Sequence, residues 1–180
     1  MKYLILSDLH ENITGIYQTV NQIINKYQNK VEAVFYNGDS TLELSDPIFE
    51  NVYAVQGNND LDNFAKENII EFKDDDIKVL QVHGHLIGAD YGVEEMLDYA
   101  KKINANIVTF GHTHLAMTQM VDDVLFINPG SIGLPKGPEA KLSGTFVILD
   151  VSEDKFIIDF YDRKLNHLDN LSQTFNRLEK

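Results

Sequence analysis

Five short apolar runs, residues 3–6, 33–36, 52–55, 79–82 and 107–110, constrain this chain more than any other feature. Each is rich in Val, Ile, Tyr or Phe. Continuous apolar runs of about four residues suit strands buried on both faces, where a half-exposed strand would alternate. Between the first two runs, Ile13, Ile16, Tyr17, Val20, Ile23, Ile24 and Tyr27 recur at helical spacing behind Asn12, a residue type suited to an N-cap. Val93, Met96, Leu97, Ala100 and Ile103 repeat the pattern before the fifth run. Strand–helix–strand order predicts parallel pairing with helical crossovers.

Elsewhere the pattern is strand after strand. Residues 69–72 and 77–82 flank an acidic turn at 74–76, and residues 116–121 and 124–128 flank Asp122 and Asp123. Residues 144–151 and 155–162 read as a further hairpin. So many strands in one domain predict two sheets packed face to face with helices outside. Residues 1–163 read as that domain. Residues 164–180 read as a C-terminal tail, helical from the spacing of Leu165, Leu168, Leu171, Phe175 and Leu178. It would dock on the same domain or on a second copy, which leaves a homo-oligomer open.

Each apolar run is followed by groups able to bind a metal. SDLH after Leu6 supplies Asp8 and His10, and NGDS after Tyr36 supplies Asp39. QGNND after Val55 supplies Asn58, HGH after Val82 supplies His83, and GHTH after Phe110 supplies His112 and His114. A single Asp or His there would be an ordinary turn or core residue. Five coincidences at strand C-termini mark the edge where open α/β sheets bind ligands. Residues i and i+2 of extended chain point to one side, roughly 6.5–7 Å apart, so Asp8 and His10 can converge. Seven groups exceed the three or four that one ion with an open position needs. They suit two ions about 3.5–4 Å apart sharing a carboxylate, for which Asp39 is the natural bridge.

The set D-x-H, GD, GN-x-D, HGH and GHTH, with NPGSIGLP at 128–135, resembles the calcineurin-like metallophosphoesterase superfamily, in particular its small prokaryotic phosphodiesterase branch. The resemblance covers about residues 1–143. It implies a four-layered α/β/β/α sandwich of two mixed sheets with flanking helices. It also implies two divalent ions, one held by Asp8, His10, Asp39 and His114 and the other by Asp39, Asn58, His83 and His112. Asp39, Asn58 and His83 would then orient phosphate and hydroxide through the ions. The implied reaction is hydrolysis of a small phosphodiester by in-line attack of a bridging hydroxide, most readily with Mn²⁺. Mixed His, Asp and Asn ligation also admits Zn²⁺, Fe²⁺, Ni²⁺ or Co²⁺.

One position departs from the phosphatase members, where a His follows the metal-binding Asn. Asn59 stands there, and an amide is no general acid. Diesters with acidic leaving groups are favoured over monoesters. Asp60 reads as loop structure or an N-cap. His85 reads as a support of the ligands or a phosphate contact, and His167 as solvated. The rival readings are a non-catalytic interaction scaffold on the same fold, a phosphomonoesterase or nuclease, and a single structural metal.

Composition trims the remaining classes. With no cysteine, disulfides and Cys-based metal sites are excluded. A formal net charge of −13 argues against a long nucleic acid or an anionic membrane as partner. Two divalent ions would still leave the site itself about +1 with its two aspartates and a hydroxide. No run approaches the ~20 apolar residues of a membrane span, and MKYLILSD reaches a charge too early for a signal peptide, so the expected setting is cytoplasmic. Specificity would reside in loops such as 41–50 and 60–68.

Overall fold

The first strand, β1 (Lys2–Leu6), explains the layers. Successive side chains of a strand point to opposite faces. Tyr3 and Ile5 join one apolar cluster, and Leu4 and Leu6 join another. A strand apolar at four consecutive positions therefore has a core on each side, as its run demanded.

The computed structural model describes residues 1–61, 63–73 and 76–177. After β1 come α1 (Glu11–Thr14), α2 (Tyr17–Tyr27), β2 (Ala33–Tyr36), β3 (Tyr53–Ala54), β4 (Glu67–Phe72), β5 (Ile77–Val82), α3 (Glu94–Ile103) and β6 (Ile107–Thr109). Five further strands follow, with one 3₁₀ turn (Gly137–Lys141) between the second and third: β7 (Ala116–Val121), β8 (Val124–Pro129), β9 (Thr145–Val151), β10 (Lys155–Asp162) and β11 (Gln173–Asn176). One sheet runs β11-β10-β9-β1-β2-β3 and the other β4-β5-β6-β8-β7. Both are mixed: β1, β2 and β3 are parallel, as are β5, β6 and β8, while the pairs β1–β9, β9–β10, β10–β11, β4–β5 and β7–β8 are antiparallel.

Tyr3, Ile5 and Phe35 from the first sheet meet Val79, Ile107, Leu125 and Ile127 from the second in the layer between them. On the outer face of the first sheet, Val20, Ile23 and Ile24 of α2 cover Leu4, Leu6, Val34 and Tyr36. On the outer face of the second, Met96 and Ala100 of α3 cover Leu80, Val108 and Phe126. The expected four-layered α/β/β/α sandwich is the observed fold. Among the described residues no helix is long and apolar enough to cross a membrane.

Three local expectations are corrected. Asn12 lies inside α1 and caps nothing; Gly15, at φ +60°, ends that turn, and the long helix starts afresh at Tyr17 behind Ile16. The run at 52–55 yields only a two-residue strand, extended by a single bridge from Val55 to Ala65. Among the described residues the tail is not helical. Residues 173–176 form β11, antiparallel to β10, and Leu168, Leu171 and Phe175 pack against the inter-sheet core. Leu178 and the turn residues Asp74 and Asp75 lie outside the described residues.

Candidate metal centre

The turns after β1, β2, β5 and β6 leave the same edge of the two sheets and are stitched to one another. Asp8 N–H donates to Gly38 O, His10 N–H to Asp39 O, and Gly111 N–H to His83 O. Beneath them a buried polar set joins the sheets. Asn37 Nδ2 donates to Thr109 Oγ1 and to Phe110 O, and Gln81 Nε2 donates to Tyr36 O and to Asn37 Oδ1. These turns are bent sharply. Asp8, His10, Asp39, His112 and His114 all have positive φ, between 49° and 67°. Non-glycine residues seldom adopt that region, and such strain gathers at functional sites. Gly57 and Gly111 are required by contact. A Cβ on Gly57 would collide with Asp39 Oδ1, and one on Gly111 with Ser7 Oγ.

The folded chain brings the seven candidate ligands together in two overlapping groups. In the first, one donor atom each from Asp8, His10, Asp39 and His114 lies within 4.8 Å of the others, all four residues being buried. His114 Nε2 is 3.3 Å from Asp8 Oδ1 and 3.2 Å from His10 Nε2, which is itself 3.6 Å from Asp39 Oδ2. In the second, Asn58 Oδ1 is 3.2 Å from His83 Nε2 and 2.9 Å from His112 Nδ1, and His83 Nε2 is 3.5 Å from Asp39 Oδ2. Asp39 belongs to both.

These atoms face one another as acceptors. His83 Nδ1–H donates to Asn37 O at 2.6 Å, and His114 Nδ1–H to Leu134 O at 2.7 Å. His112 Nε2–H donates to Asp90 Oδ2 at 3.1 Å. In its neutral form each ring turns a lone pair inward, the tautomer fixed by a partner behind it, as metal-binding imidazoles require. Asp8 is fully buried, and neither of its carboxylate oxygens has a hydrogen-bond partner. A buried carboxylate left so is costly unless a cation completes it. The donor set and the orphaned Asp8 fit divalent ions.

Without ions, protons take part of their place. Burial pushes the His83 imidazole down, but its hydrogen bond to Asp39 and the charges of Asp8 and Asp39 outweigh this and raise it. Burial likewise opposes ionisation of Asp39, yet His83 and the two donors of Asn59 hold its carboxyl well below the usual range. His10 is lowered, burial outweighing the attraction of Asp39 and Asp8.

Asn59 donates to Asp39 twice, from its backbone N–H and from Nδ2, each at 2.7 Å. Asp60 is loop structure rather than a helix cap. It accepts from Asp39 N–H, Gly57 N–H, Ser40 Oγ–H and Thr41 N–H. His85 packs its ring 5.3 Å from that of His83 and 6.1 Å from that of His112. His167 is not merely solvated; it lies between Asp159 and Asp169, away from this edge. The sequence reading missed Asp90 behind His112. It also missed Asn128, whose Nδ2 donates to Gly111 O and Thr113 Oγ1 beneath the GHTH turn. NPGS was the one signal for Asn128, and nothing local marks Asp90.

Two stacked mixed sheets with this rim define a metallophosphoesterase scaffold. A family model described as the calcineurin-like phosphoesterase superfamily domain matches residues 1–154, and the chain belongs to that family. It is 30% identical over 171 residues to a probable metallophosphoesterase, YsnB, of Bacillus subtilis, covering 95% of this chain and 96% of that one. It is 34% identical over 148 residues to the phosphodiesterase MJ0936 of Methanocaldococcus jannaschii, covering 72% and 83%. A crystal structure from Streptococcus pneumoniae, titled a predicted phosphoesterase, superposes with a TM-score of 0.90 at 29% identity, over 98% of this chain and 97% of that one.

Proposed function

We propose that this protein is a dinuclear-metal phosphodiesterase acting on a small phosphodiester. The observation that carries the reading is the pair of inward-facing acceptor groups sharing Asp39. Asp8, His10, Asp39 and His114 would hold one ion, and Asp39, Asn58, His83 and His112 the other. Mn²⁺ is the ion of choice, with Zn²⁺, Fe²⁺, Ni²⁺ or Co²⁺ as substitutes. When bound, such ions supply a hydroxide nucleophile near neutral pH and neutralise charge on the phosphoryl oxygens.

The chain's own residues do the rest. The tied turns fix ligand positions before substrate arrives, so no reorganisation is needed during reaction. Asn59 holds Asp39 in place through both of its donors. It offers no proton to a departing alkoxide, which favours diesters whose leaving group departs as a stable anion. That feature disfavours the phosphomonoesterase reading. The scaffold reading is disfavoured because all seven ligand positions carry a donor side chain. A net charge of −13 further favours small substrates over long nucleic acids. The name of the archaeal relative, a phosphodiesterase, supports the substrate class.

The test is turnover of a bis(aryl) phosphodiester and of an aryl phosphomonoester by Mn-loaded protein. The diester should be the better substrate, and Asp39→Ala should lower its turnover more than about 100-fold. Full activity in Asp39→Ala, or none in the fully loaded wild type, would overturn the proposal.

A further inference from the structure

A recess of about 440 Å³ opens beside the second ligand group, between Lys66 and Glu67 at the start of β4 and residues 82–87 at the end of β5. Ligand pockets run roughly 300–1,000 Å³, so the recess can take one organic arm of a small diester. His83 forms part of its wall. A phosphoryl group held at Asn58, His83 and His112 therefore has this recess as adjoining room for an ester arm.

The lining selects among arms. Val82, Leu86 and Ile87 make an apolar wall. Leu86, in that wall, is 67% exposed. Glu67 is engaged by the Tyr99 hydroxyl at 2.7 Å, and Lys66 has no ion pair among the described residues. The recess thus offers an apolar wall and one ammonium. That combination suits a flat ring, whose face can receive the ammonium.

We infer that this recess is the subsite for one ester arm, and that it prefers an arm bearing a planar aromatic ring, whether an aryl group or a nucleobase. The inference rests on the phosphodiesterase reading for the placement of the phosphoryl group.

Calorimetric binding to Mn-loaded protein tests it without turnover. Methylphosphonate, phenylphosphonate and a nucleoside ester of methylphosphonate share the metal-seeking head and differ in the arm. Phenylphosphonate should bind at least about tenfold tighter than methylphosphonate. A gain with phenyl alone, or with both rings, supports the assignment and tells an aryl source from a nucleobase. In Leu86→Ser and in Lys66→Ala, both changes at exposed positions, the ratio should shrink toward one. Equal affinities in the wild type, or a ratio untouched in both variants, would overturn the inference. A ring preference without diester turnover would refute only the proposed activity, and turnover without a ring preference would refute only the subsite.

Discussion

Asp90 and His112 are 22 residues apart in sequence and joined by one hydrogen bond, Nε2–H to Oδ2 at 3.1 Å. The other ring nitrogen of His112 faces Asn58 at 2.9 Å. The carboxylate therefore stands behind the imidazole and decides which nitrogen is free to bind. Its side chain is 61% exposed, so its contribution to stability is small, but its effect on ring orientation is direct.

Asp90→Ala should weaken binding of the second ion about 10- to 100-fold and leave the first ion's affinity within about twofold. A two-site calorimetric titration with Mn²⁺ reads both constants. Asp90→Asn keeps an acceptor oxygen and should recover most of the loss. Identical affinities in Asp90→Ala would show that packing alone orients His112.

Asp60 ties the turn carrying Asp39 to the turn carrying Asn58 through four accepted hydrogen bonds. Removing a charged acceptor strands those donors. Asp60→Ala should cost on the order of 2–3 kcal/mol in urea unfolding of the metal-free protein. Asp60→Asn, which keeps one acceptor oxygen, should cost less. A loss below about 0.5 kcal/mol would mean that water replaces the clamp at no cost.

His83 fixes the sign of the pH dependence of metal binding. Its raised pKa favours the imidazolium in the metal-free fold. That stabilisation is fully present below the ordinary value of 6.5 and is lost as pH rises through the raised one. A cation needs the same nitrogen unprotonated, so affinity should fall as pH falls. Asp39 is ionised already and contributes no proton. Calorimetry in two buffers of different ionisation heat, at one near-neutral pH, should report proton release with the second ion. Heats independent of the buffer would contradict this.

The tail carries a second, separate pH effect. His167 Nδ1 is 2.7 Å from Asp169, and Nε2 is 3.1 Å from Asp159 of β10. The hydrogen bond to Asp159, then that to Asp169, raises its pKa. The latch is complete below 6.5 and weakens as pH rises through the raised value. Hydrogen-exchange protection of β11, corrected for intrinsic rates, should be lower at roughly pH 8.5 than at pH 5.5. Protection that is unchanged, or that changes equally in His167→Gln, would rule the latch out.

Local pattern carried the fold where the pattern itself was local. Two cores around β1 follow from four consecutive apolar residues, and the hairpins from acidic turns between apolar runs. The rim of candidate ligands was legible because each candidate directly follows a run that must end at the same edge. The tail misled because Leu165, Leu168, Leu171 and Phe175 fit a helical period. The open edge of β10 offers residues 173–176 backbone partners that no local spacing reveals. Asn12 misled because Gly15, three residues on, breaks the helix it seemed to start. Asp60 and Asp90 were illegible as supports, since their partners come from turns about 20 residues away.

The central claim is that Asp39 stands between two cations. Anomalous scattering from crystals soaked in Mn²⁺ tests it most directly. Two bound ions would give two peaks about 3.5–4 Å apart, one against Asp8, His10 and His114 and the other against Asn58, His83 and His112, with Asp39 touching both. A single peak, or none at full loading, would contradict it.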